Sequence, residues 1–220
     1  MRPSADWARL TTIDGMTTGT TPLAPAPVLA DLLPGLRSRT FLRNAVLVLA
    51  FALLTAVAAQ VRIPLGFTPV PVTGQTLAVL LAGTSLGMAR GAASQFLYWV
   101  LGLIGVPAYT GGGHGWTAGT GATFGYLMGF VVAAAVVGHL AERRNDRRVL
   151  SSLSAMALGT MIIYAMGALW LAHYLDVPFA TGEKNAIGLG IAPFLAGDFV
   201  KMLIAGLVTP AVWAAVSERD

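Results

Sequence analysis

Apolar residues occur along this chain in long unbroken runs rather than in alternation. The fullest runs are residues 41–60, 122–141, 149–172 and 193–216, and two shorter ones cover 73–87 and 91–106. A helix needs about 20 mostly apolar residues to cross a bilayer. The pattern therefore predicts an all-α integral membrane protein with six transmembrane helices spread over residues 41–216. The stretches between the runs have a different character. Residues 61–72 carry Pro64, Pro69 and Pro71, too many prolines to continue a helix, so an ordered loop is expected there. Residues 107–121 are rich in glycine, 142–148 are charged, and 173–191 form a polar loop with Pro178, Glu183 and Lys184. The first 40 residues are rich in Thr and Pro and lack the basic-then-apolar order of a signal peptide. They are read as a poorly ordered N-terminal tail, with a short amphipathic turn around residues 28–36. Residues 217–220 are a short C-terminal end.

Charge then orients the spans. Arg37, Arg39, Arg43, Arg90, Arg143, Arg144, Arg147, Arg148 and Arg219 fall at the termini and the even-numbered turns, against Arg62 and Lys184 in the odd-numbered loops. Positive residues collect on the cytoplasmic side, so both termini are expected inside and the three long loops outside. The chain is thus read as a multi-pass membrane protein.

Against that background two side chains stand out. Asp198 and Lys201 lie a few residues into the last run, on one helix face at spacing i, i+3. A charge at membrane depth costs roughly 2.5–3.5 kcal/mol on insertion scales, and such groups normally face a cavity and have partners. They form either an ion pair locking two helices or a polar ligand site, Asp198 accepting hydrogen bonds and Lys201 donating them. Thr73 and Gln75, at the external mouth of the second span, add groups that can bond a ligand; Thr73 could equally serve as a helix N-cap. In the glycine-rich loop, Gly113, His114 and Trp116 are further candidates, since closely spaced backbone N–H groups can hold an anion. In the first span, Ala52 and Ala56 form a small-x-x-x-small face, suited to internal packing or to a partner helix.

Composition supports this class. Of 220 residues, 55% are hydrophobic and 11% charged, whereas soluble domains carry about 25% charged residues. There is no cysteine, which excludes disulfides and thiolate chemistry. The net charge of +4 is explained by topology, so no nucleic-acid partner is expected. Gly83-Thr84-Ser85-Leu86-Gly87 fits the spacing of a hydrolase nucleophile elbow, and residues 113–118 fit that of a dinucleotide loop. Both need a strand before the motif, which neither has. No phosphate-binding loop, metal site or cofactor site is found, and the chain is not read as an enzyme.

Three segments together resemble a known family. Residues 68–77 read TPVPVTGQTL; residues 102–107, GLIGVP, precede the glycine loop and GYLMGF at 125–130; residues 193–201 read PFLAGDFVK. In this order they resemble BioY, the biotin-binding S components of energy-coupling-factor (ECF) transporters, over residues 41–216. The resemblance implies a six-helix S-component fold and capture of biotin from outside. It also implies coupling to a T-component membrane protein and two ATPase subunits. Asp198 and Lys201 would then hold the ureido ring, and the face at Ala52 and Ala56 would dock the T component. A proton- or ion-coupled secondary transporter of a small polar metabolite stays open as the alternative, as does a homo-oligomer.

Overall fold

The computed structural model describes residues 26–32 and 40–217. Its helices are α1 (Thr40–Gln60), α2 (Gln75–Leu86), α3 (Met88–Leu103), α4 (Gly115–Gly119), α5 (Phe124–Glu142), α6 (Val149–Leu175), α7 (Ala186–Gly190) and α8 (Leu195–Ser217). Two-residue strands β1 (Arg62–Ile63) and β2 (Val72–Thr73) pair antiparallel, with Arg62 opposite Thr73.

The six apolar runs all fold as helices, but not all at full length. Among the described residues, four stretches are long and apolar enough to cross a membrane: 41–60, 124–142, 149–175 and 186–216. Helix α2 has 12 residues and α3 has 16; at about 1.5 Å per residue they are shorter than a hydrocarbon core of about 30 Å. Two loops expected without structure contain the five-residue helices α4 and α7. The last helix begins at Leu195, after a 3-10 turn over Ala192–Phe194.

Small residues set how closely the helices approach. Helix α5 packs against α2, α3 and α6, while α8 lies on α6 and α2. Gly87 joins α2 to α3 with φ +82, a conformation that favours glycine. A Cβ on Gly138 of α5 would strike the backbone of Gly87 and Met88. Helix α1 buries Ala52, Thr55 and Ala59 on one side and bares Val46, Leu49, Leu53 and Val57 on the other. This division by size suits a peripheral helix with one face toward lipid.

Residues 26–32 form a strap across the arginine-rich end of the bundle. Val28 and Ala30 are buried with Leu86 and Ala141. Asp31 accepts from Arg90 at 2.9 Å and lies 3.6 Å from Arg43. Ala26 N–H donates to Glu142 O, and the Glu142 carboxylate accepts from Met88 N–H at the start of α3, where a negative charge suits the helix dipole. Of the turn expected at 28–36, residues 29–32 form a 3-10 turn, while 33–36, the other residues of the expected tail (1–25 and 37–39) and the C-terminus beyond 217 lie outside the described residues.

At the opposite end, aromatic rings run from Phe96 to Trp99, Phe124, Trp170 and His173, with neighbouring centroids 4.9–5.9 Å apart. Trp99 Nε1 donates to Gly119 O and Trp170 Nε1 to Gly121 O, fastening the glycine loop to the helices below.

Candidate functional site

A cavity of about 270 Å³ opens at this aromatic end, between the proline loop, the glycine loop and helices α2, α3, α5, α6 and α8. Ligand sites usually fall at about 300–1,000 Å³, so this one suits a small molecule. Pro69, Val70, Pro71, Leu127, Phe130, Ile163 and Phe194 supply its apolar walls.

The polar wall is built around Asp198, which is 5% exposed. Its Oδ1 accepts from Thr76 Oγ1 at 2.8 Å and from Lys201 Nζ at 2.6 Å, and its Oδ2 accepts from Tyr164 Oη at 2.8 Å. An ionised carboxylate has about four acceptor positions. Three are filled by the protein, which fixes the group and leaves capacity for a ligand N–H. Lys201 Nζ also donates to Thr73 O, tying α8 to the strand before α2.

A second network surrounds Gln75. Its Nε2 donates to Tyr98 Oη at 2.8 Å, and its Oε1 accepts from Thr73 Oγ1 at 2.9 Å and Thr110 Oγ1 at 3.4 Å. One Nε2 hydrogen is left. The N-cap of α2 is Gly74, whose N–H reaches Ala58 O and Val61 O, while Thr73 Oγ1 accepts from Gln75 N–H. Tyr98 and Tyr109 meet edge to face at 5.8 Å. Gly102 leaves room for the Tyr109 ring, whose Oη donates to Trp99 O. The proline loop is held from the far side by Thr68 Oγ1 donating to Leu189 O.

The sequence model of the BioY family matches residues 27–218 of the chain. The chain belongs to the BioY family. Among its relatives, the biotin transporter BioY of Rhodobacter capsulatus is 38% identical over 180 residues, 77% of this chain and 93% of that protein. The probable biotin transporter BioY of Pyrococcus horikoshii is 36% identical over 162 residues, 74% of this chain and 91% of its own. A crystal structure of the S-component for biotin from an ECF-type ABC transporter superposes with TM-score 0.70 at 23% identity, covering 80% of this chain and 93% of that one. The two share a fold.

In this BioY-family chain, the residues expected at a site from sequence fall into two groups. Asp198, Gln75, Thr73 and Gly113 line the cavity. Lys201 stands behind the wall, both of its bonds going to Asp198 and Thr73. His114 is exposed, with Nδ1 3.0 Å from Gly112 O, and Trp116 is 72% exposed; neither lines the cavity. Two amides of the glycine loop are already used: Gly113 N–H bonds Thr110 O, and Gly112 N–H bonds Tyr109 O and Gln60 Oε1. Ala52 is fully covered by the chain's own helices, and Ala56 is half-buried beside it.

Several lining groups were not picked out from sequence: Tyr98, Tyr109, Tyr126 and Tyr164, with Arg62. A tyrosine deep in an apolar helix carries a hydroxyl that needs a partner when buried. Here the four hydroxyls meet Gln75, Trp99 O, Gly190 O and Asp198.

Proposed function

We propose that this chain captures biotin from the outer side of a prokaryotic plasma membrane and acts as the S component of an ECF-type transporter. In this reading all six apolar helices cross the membrane, both termini are cytoplasmic, and the cavity opens outward. The observation that carries it is Asp198. It is a carboxylate in an apolar bundle, held by Thr76, Tyr164 and Lys201 at the wall of a closed-in cavity. The ureido ring of biotin offers two N–H donors to such a group and a carbonyl to the remaining Gln75 hydrogen. The apolar walls suit its sulfur-containing ring. The biotin transporters among the relatives, matched over most of their length, support the same substrate.

The chain performs no chemical step. It presents the ligand to a T-component membrane protein, which docks on the peripheral helix α1 through Ala56 and its outward face, and two ATPase subunits supply the energy. Ala52, being covered, supports the helix from within.

Calorimetric titration of the purified chain in nanodiscs with biotin tests the binding step. Saturable one-site binding is expected, and its absence would end this reading. Uptake in cells carrying the T component and ATPases, unaffected by collapse of the proton gradient, separates it from ion-coupled transport.

A further inference from the structure

Resting on that reading, we infer that Arg62 is the carboxylate-binding residue of the site and makes the protein selective for the free acid over its esters and amides. Arg62 lines the same cavity as Asp198. Strand pairing sets Arg62 opposite Thr73, whose carbonyl is bonded to Lys201, which in turn holds Asp198. The cavity wall thus runs from the buried carboxylate at its base to the guanidinium at its mouth.

The charges agree with this placement. Asp198 is neutralised by Lys201 at 2.6 Å. Among the described residues, Arg62 is the one cationic side chain lining the cavity, and no carboxylate lies within ion-pair distance of it. The lining with its supporting lysine therefore carries one uncompensated positive charge, which a monoanionic ligand would balance. Arg62 is exposed, but its guanidinium lies over Gly111, so closely that a Cβ there would overlap it. Gly111 has φ +69, a backbone that favours glycine, so loop and arginine fit one another. The fork of N–H donors on a guanidinium matches a carboxylate in two-point geometry. A molecule with a hydrogen-bonding ring at one end and a carboxylate on a flexible chain at the other would engage Asp198 and Arg62 together.

Calorimetry of the full chain in nanodiscs with biotin and with biotin methyl ester tests this. Wild type should bind the acid about tenfold to a hundredfold more tightly than the ester, the range of one charge-assisted hydrogen bond. Arg62→Gln should bind both with the affinity of the ester, and Arg62→Lys should keep part of the preference. Equal affinity of the wild type for acid and ester would overturn the inference while leaving biotin binding intact. An undiminished preference in Arg62→Gln would do the same. A wild type that binds neither would remove the biotin reading and this inference with it. Because the wild-type comparison needs no variant, the result does not depend on Arg62→Gln folding.

Discussion

Asp198 takes hydrogen bonds from α2, α6 and its own helix, so one side chain reports on both packing and binding. Asp198→Asn keeps the shape but places a donor or a weaker acceptor before a ligand N–H. Truncating one partner of a buried charge pair costs about 2–5 kcal/mol, roughly 30-fold to several-thousand-fold in affinity at about 1.4 kcal/mol per decade. Biotin affinity should fall by that factor, with a lower melting temperature of the empty protein because Lys201 loses its counter-charge. A variant that melts early yet binds at wild-type strength would reduce Asp198 to a helix lock. Asp198, Gln75 and Thr73 were legible because polar groups in apolar runs are costly and need a reason. The tyrosines were not, because an aromatic ring in a helix reads as core filling, and its hydroxyl's partner comes from another element. Arg62 was visible as a charge but was assigned to topology, since nothing in the sequence places it over Gly111.

At the scale of elements, the turn between α2 and α3 is fixed by backbone touching backbone. A Cβ on Gly138 would meet Gly87 and Met88 main-chain atoms, which cannot swing aside. Gly138→Ala should destabilise by about 1–3 kcal/mol, the usual cost of overpacking. That lowers the melting temperature by about 2–4 °C per kcal/mol for a chain of this size. Gly66→Ala, in open space, is the control and should be near neutral. Unchanged melting of Gly138→Ala would show that α5 can slide away from the turn. The long helices were readable from hydropathy within a few residues. Helices α4 and α7 were not, because five residues among glycines carry no periodicity. The shortness of α2 was readable from its run, but its start was not, since Thr73 and Gly74 fold as strand and cap.

Over the whole molecule the two ends differ, one carrying arginines and the strap, the other the cavity. With the arginine end inside, a cysteine at Thr117, exposed in α4, should react with an impermeant reagent on intact cells. One at Arg143 should react only after permeabilisation, and the reverse pattern would invert the topology. The strap adds a pH dependence. Burial raises the Asp31 carboxyl, but the Arg90 hydrogen bond, the Val28 N–H and the charges of Arg90 and Arg43 outweigh it and hold it below its ordinary 3.8. A lowered carboxyl stabilises the fold above 3.8 and loses that contribution as pH falls through the depressed value. Asp146 runs oppositely: burial, partly offset by Trp213 and Arg147, raises it, so its contribution declines as pH rises above 3.8. Melting of wild type and Asp31→Asn from pH 7 to pH 3 separates them. The wild-type advantage should shrink in acid, and a constant gap would clear Asp31 of the effect.

The bonds from Trp99 and Trp170 to the glycine loop also make the molecule its own optical instrument. Indole emission responds to what the ring nitrogen touches. Any ligand that draws Gly119 or Gly121 toward the cavity must alter those two contacts, while Trp213 sits far off beside Asp146 as a built-in reference. Occupancy can therefore be followed in unlabelled protein, by light alone.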